Sequence, residues 1–149
     1  MVERSSARLG VPRTSVTALW LALILVGGTV GTAARAQLEG AYAPPLGAWP
    51  WVTLGINVSG ALLLGGLVTL LAVTGSDAGW RRGVRLGLGT GLLGGFTTYS
   101  TFSVETMELL RTSLLLGVAY AATTVVAGFV AALGAAWAVG ELARPRTRR

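Results

Sequence analysis

The residues of this chain best suited to chemistry lie between Leu92 and Glu105, in the run LLGGFTTYSTFSVE. Twin glycines, Gly94 and Gly95, precede Thr97 and Thr98, and then come Tyr99, Ser100, Thr101, Phe102 and Ser103, with no charge before Glu105. Glycine is a poor helix former, and threonine hydroxyls can bond backbone groups that a helix leaves free. The run therefore predicts a helix that unwinds at its twin glycines. A broken helix exposes carbonyl oxygens at the end of its first half and N–H groups at the start of its second. The carbonyls suit a small cation; the N–H groups, at the positive dipole end, suit an anion. Tyr99 and Phe102 are three apart and share a helix face, and ring edges carry the positive part of the aromatic quadrupole. Two rings turned edge-on can touch an anion without any fixed positive charge, with Ser100, Thr101 and Ser103 as hydroxyl donors around them.

Two other segments set polar groups in apolar surroundings. Asn57 stands in TLGINVSGALLLGG with Ser59 two residues later, and an amide deep in lipid needs a partner or a water-lined cavity. Ser113, Gly117, Tyr120, Thr124 and Gly128 recur at helical spacing and share a face. Taken one at a time, such residues usually serve helix packing and interhelical hydrogen bonds, and Glu105 and Glu108 read as a solvated helix end. The specific signal is the glycine pair followed by Thr-Thr-aromatic-Ser-Thr-Phe-Ser.

The elements that must position these residues are membrane helices. The 149 residues are 52% hydrophobic and only 12% charged, and the charges are clustered. Val16 to Ala34, Gly40 to Ser76, Leu86 to Val104 and Thr112 to Gly140 carry no charge, and each window admits one crossing of about 20 residues. The expected fold is all-α, with four transmembrane helices per subunit and the third broken in mid-membrane. A channel domain over 15–141 lies between a basic N-terminal tail, 1–14, and a basic C-terminal tail, 142–149. Span one is expected to end near Arg35, followed by a loop, QLEGAYAPPLGAWPW. Trp49, Trp51, Trp80 and Trp137 suit the interfaces.

Several function classes drop out. With four crossings both termini share a side, and that side carries ten of the twelve arginines, leaving Arg35 and Arg111 for the other. The bias reads as cytoplasmic termini, so the net charge of +6 reflects juxtamembrane clusters and not nucleic-acid binding. The chain has no cysteine and no histidine, so disulfides, thiolate chemistry and imidazole metal sites are excluded. No span has a mid-membrane carboxylate of the kind a proton-coupled drug exporter needs, and no nucleophile, base and acid converge as in an enzyme. Gly89-Thr-Gly91-Leu-Leu-Gly94 matches the dinucleotide-binding pattern, but no strand precedes it; Gly87, Gly91 and Gly95, spaced by four, read instead as a close-packing face. Leu19 to Val26 followed by Ala34-Arg35-Ala36 imitates a cleavable secretory signal, yet Gly27, Gly28 and Gly31 suit a packed membrane helix better.

Three motifs resemble the Fluc (CrcB) fluoride channel family: GGTVGTAAR from Gly27 to Arg35, the stretch Val52-Thr53-Leu54-Gly55-Ile56-Asn57, and GGFTTYSTFSVE. The resemblance implies a passive fluoride channel of the bacterial plasma membrane, an antiparallel dual-topology dimer with two fluoride pathways and a structural sodium ion where the two breaks cross. It assigns the sodium-facing carbonyls to Gly94 and Thr97, the aromatic box to Tyr99 and Phe102, and a donor facing that box to Asn57. Ser100, Thr101 and Glu105 would line one end of the pathway, Tyr120 and Thr124 its polar track, and Arg35 would serve the vestibule or the structure. Tyr99 stands where the family pattern has phenylalanine. The arginine asymmetry fits a nearly balanced dual-topology chain poorly, so the partner is either a second copy or an oppositely oriented paralogue.

Overall fold

The computed structural model describes residues 13–45 and 47–144; most of both basic tails, including Arg4, Arg8, Arg146, Arg148 and Arg149, lies outside them. Three helices are long and apolar enough to cross a bilayer: α1 (Arg13–Ala41), α2 (Trp51–Thr74) and α6 (Leu114–Ala143), of 29, 24 and 30 residues. The remaining crossing, third in chain order, is made in pieces. It consists of α3 (Trp80–Val84), a π-helical stretch (Arg85–Leu93), α4 (Gly94–Phe96) and, after a non-helical link at 97–99, α5 (Ser100–Thr112). The chain is thus a multi-pass, all-helical membrane protein with a broken third crossing.

The twin glycines do not form the break. Gly94 is helical, with φ −65° and ψ −35°, and the chain leaves the helix at Thr97, whose ψ is 155°. The glycines are occupied with packing instead. A β-carbon at Gly95 would sit 2.5 Å from the Gly28 carbonyl, and one at Gly91 would sit 2.8 Å from that of Ile24. From the other side, β-carbons at Gly27 and Gly31 would collide with the Gly87 and Leu92 carbonyls. The two backbones therefore run in contact, the arrangement that small residues four apart permit between membrane helices. Gly87, Gly91 and Gly95 do form one face against α1, as their spacing predicts, although the stretch from Arg85 winds more widely than an α-helix.

Two expected boundaries move. α1 continues past Arg35 to Ala41, so the predicted loop begins later and the signal-like Ala34-Arg35-Ala36 lies inside a helix. Within the extension Arg35 pairs with Glu39 one turn on, at 3.1 Å, a contact that adds modest support to the helix. Ser113 is not on the polar face of the last helix but caps it, accepting from the Leu116 N–H at 3.5 Å.

α2 packs along α6, and α1 along the first half of the third crossing, with α5 returning against α6. The turn between α2 and α3 is tied by charge. Arg85 holds Asp77 with two hydrogen bonds, of 3.0 and 2.8 Å, and these keep the Asp77 carboxyl below its usual range.

Helix contact this close makes a sharp prediction. Gly31→Ala places a methyl group against the Leu92 carbonyl and the Phe96 N–H and should cost about 1–3 kcal/mol or more, as overpacking does. Gly28→Ala, whose nearest neighbour is 3.8 Å away, should be close to neutral. Melting curves of both variants in detergent make the comparison; equal loss would show that backbone contact is not what the glycines provide.

Candidate functional site: a broken helix and an aromatic groove

A helix that stops inside a bilayer must find other partners for its backbone. In an unbroken helix the N–H groups of Thr98, Tyr99 and Thr101 would bond the carbonyls of Gly94, Gly95 and Thr97. Here the Thr98 N–H donates to Asn57 Oδ1 at 2.8 Å, and Asn57 Nδ2 donates to the Thr98 carbonyl at 2.9 Å. Thr97 Oγ1 donates back to the Leu93 carbonyl at 2.9 Å, and the Thr101 N–H is capped by Thr98 Oγ1 at 3.1 Å. The predicted role of the two threonine hydroxyls is met. The Asn57 amide has the partner that its apolar surroundings require: both its polar atoms are engaged with backbone, so it clamps the break as well as standing beside the rings.

The freed carbonyls divide into two sets. That of Gly95 accepts from Arg35 Nε at 3.2 Å and, more weakly, from Thr32 Oγ1 at 3.4 Å. Arg35 thus ties α1 to the end of α4, a structural position. The Gly94 and Thr97 carbonyls find no such substitute among the described residues.

Beside the break runs an open groove lined by Asn57, Thr97, Thr98, Tyr99, Phe102, Thr124 and Val125. Tyr99 and Phe102 meet with ring centroids 6.0 Å apart and planes tilted by 47°, and Phe102 meets Tyr120 at 5.6 Å. Thr124 lines the groove while its hydroxyl donates to the Tyr120 carbonyl of its own helix at 2.9 Å. Tyr99 is 80% exposed. Ser100 and Thr101 gather at the start of α5, each within hydrogen-bond distance of Thr98 Oγ1, at 3.2 and 3.1 Å.

Glu105 occupies a second, adjoining cluster. Its two oxygens accept from Thr53 Oγ1 and from the Tyr120 hydroxyl, both at 2.7 Å, and Thr53 and Tyr120 are fully buried. Trp49 stacks edge-on against Tyr120, at 5.6 Å and 86°. Glu105 is therefore not a freely solvated helix end. Sequence reasoning did not assign Thr53 or Trp49 to the site. Thr53 had a signal, standing four residues before Asn57 on the same helix face.

A broken crossing with freed carbonyls on one side and a hydroxyl-rich aromatic groove on the other is the build of an ion-conducting membrane protein. Comparison with known proteins agrees. The family model described as CrcB-like protein, Camphor Resistance (CrcB), matches residues 22–136, and the chain belongs to that family. A fluoride-specific ion channel FluC 2 of Leifsonia xyli subsp. xyli is 51% identical over 120 residues, covering 76% of this chain and 82% of that protein. Fluoride-specific ion channel FluC 1 of Cutibacterium acnes is 46% identical over 107 residues, 71% and 75% of the two chains. The corresponding FluC of Novosphingobium aromaticivorans is 44% identical over 111 residues, 72% and 85%.

Replacing Asn57 by leucine keeps the branched, four-heavy-atom shape and removes both bonds to Thr98. Each backbone group left without a partner costs about 1–3 kcal/mol, so the variant should lose about 2 kcal/mol or more. A fall of several degrees in melting temperature, read by size-exclusion after heating, is the expected result; an unchanged melting temperature would remove the clamp from the account.

Proposed function

We propose that the chain forms a passive, fluoride-selective channel in the bacterial plasma membrane, built from two antiparallel copies. The observation that carries this reading is the aromatic groove beside the break, in a member of a family whose close relatives are named fluoride-specific channels. Fluoride is small and strongly hydrated, so a pathway must offer donors in quick succession and still release the ion. Hydroxyls at Tyr99, Ser100 and Thr101 and ring edges at Tyr99, Phe102 and Tyr120, with the Asn57 amide beside them, supply donors without a trapping positive charge, and Thr124 lines the path with its hydroxyl turned to its own helix. Glu105 stands at one end of the path.

The same reading gives the open side of the groove to a second copy of this chain, since an exposed Tyr99 hydroxyl at that depth needs a partner that lipid does not supply. Several arginines that bias the orientation, Arg4, Arg8, Arg146, Arg148 and Arg149, lie in the tails, and charges far from a span weigh less in insertion. A homodimer is accordingly the proposed assembly, ahead of a pair with an oppositely oriented paralogue. The Gly94 and Thr97 carbonyls are hard, uncharged oxygen donors of the kind that hold sodium at broken membrane helices, and they fit a sodium ion where the two breaks cross. Bound there, sodium would supply a fixed charge between the two breaks.

Reconstituted in liposomes, the protein should release fluoride and retain chloride; no efflux, or equal efflux of both, would end the proposal. Phe102→Ile should abolish fluoride flux while the protein still elutes as a folded dimer, and unaltered transport would take Phe102 out of the pathway. A melting temperature equal in sodium and in N-methylglucamine would count against the cation site. Single cysteines at the termini of this cysteine-free chain should label from both sides of the membrane; labelling from one side alone would favour the paralogue pair.

A further inference from the structure

The end of the molecule that bears Asp77 holds a cavity of about 370 Å³, away from the groove, lined by Val68, Leu71, Ala72 and Gly75 on one side and by Asp77, Arg81 and Arg85 on the other. Its two halves differ in chemistry. The first is the last apolar turns of α2, where Val68 is 44% exposed. The second is a cationic rim. Arg81 and Arg85 share it with a single carboxylate, that of Asp77, which Arg85 engages at 2.8 Å and Arg82, outside the lining, at 3.7 Å. Arg81 has no carboxylate partner: one of its terminal nitrogens donates to the Thr74 carbonyl at 2.7 Å, which caps α2, and its guanidinium carbon lies 5.3 Å from the Trp80 ring centroid. The two guanidinium groups of the lining against one carboxylate leave one positive charge uncompensated. It sits at the mouth of an apolar slot, beside an exposed tryptophan of the kind that marks the headgroup level of a bilayer.

We propose that this cavity is a binding site for an anionic phospholipid, with the phosphate against Arg81 and Arg85 and an acyl chain along Val68, Leu71 and Ala72. The slot extends along a transmembrane helix from a cationic rim, so a ligand that fills it must be charged at one end and apolar below. A soluble anion would use only the rim, and a second protein copy would have to bring its own anionic group to the same depth. The remaining terminal nitrogen of Arg81 can donate to a phosphate oxygen while the other caps α2, and basic clusters just beyond a membrane helix attract anionic lipid. The Asp77–Arg85 pair holds the turn in place, and Arg81 supplies the selectivity.

The test uses the full chain in nanodiscs of equimolar phosphatidylglycerol and phosphatidylcholine, transferred to detergent and weighed by native mass spectrometry. Wild-type protein should retain phosphatidylglycerol several-fold over phosphatidylcholine. Arg81→Gln should bring the ratio toward one. Ala72→Trp, which fills the slot and leaves every charge in place, should lose both lipids, and size-exclusion of both variants checks the fold. Equal retention of the two lipids by wild type, or an unchanged ratio in Arg81→Gln, would overturn the proposal. Displacement of the lipid by millimolar inorganic phosphate would reassign the rim to a soluble anion, and a change of oligomeric state in Ala72→Trp would reassign the slot to self-association. Fluoride flux is not the readout, so the site stands or falls separately from the channel.

Discussion

Two hydrogen bonds between one side-chain amide and one backbone residue hold this architecture open. A bilayer supplies no water to a backbone that leaves its helix, and each stranded N–H or carbonyl in hydrocarbon costs several kcal/mol. Asn57 answers both groups of Thr98 at once. Around that clamp, Thr97 and Thr98 turn their hydroxyls on neighbouring backbone, and Arg35 reaches across from α1 to the Gly95 carbonyl. Once the amide is in place the link at 97–99 can persist, α5 can restart under the Thr98 hydroxyl cap, and Tyr99 and Phe102 are set beside the gap. The site is thus a consequence of backbone accounting before it is a matter of side-chain choice.

The close approach of α1 to the third crossing has the same logic in packing terms. Glycine in a helix costs about 1 kcal/mol relative to alanine, and Gly87, Gly91, Gly94 and Gly95 would weaken a helix in water. In a membrane, where apolar side chains gain little from leaving lipid, contact between backbones becomes the available attraction. The glycines of α1 and of the third crossing meet face to face, and the cost in propensity is offset by dispersion contacts that a β-carbon would prevent. Gly60 of α2 extends the pattern, since a β-carbon there would collide with the Thr97 side chain. Close packing and the break are therefore coupled: the first half of the crossing is fixed by contact with α1 up to Gly95, and the chain turns where that contact ends.

This coupling explains what could and could not be read from the residues in order. Composition and charge-free windows gave the membrane class and four crossings, because lipid imposes length and apolarity on every span. The break itself was legible, but its position was misjudged by about three residues. Glycine signals both flexibility and close contact, and only the position of α1 shows that Gly94 and Gly95 are used for contact. Asn57 was legible as a polar group in need of a partner. That its partner is the Thr98 backbone, 41 residues on, depends on the register between α2 and the third crossing, which no local pattern encodes. The local pattern alone makes Glu105 a solvated end for the same reason, because its two donors, Thr53 and Tyr120, arrive from two other helices.

Glu105 also decides what an anion in the groove would meet. A free carboxylate beside an anion path would repel the ion; here both carboxylate oxygens already accept short hydrogen bonds from buried donors, which disperses the charge toward α2 and α6. The Tyr120 hydroxyl is consumed in doing so. What Tyr120 presents to Phe102 is therefore its ring, which continues the series of tilted rings from Tyr99 and is met edge-on by Trp49 behind it. On the channel reading, the polar track of the last helix is then an aromatic one at this level, and its hydroxyl acts on the carboxylate and not on the ion. Under the proposed function, the arrangement would let one acidic side chain stand at the end of a halide path at tolerable electrostatic cost, because two neutral donors are committed to it in advance.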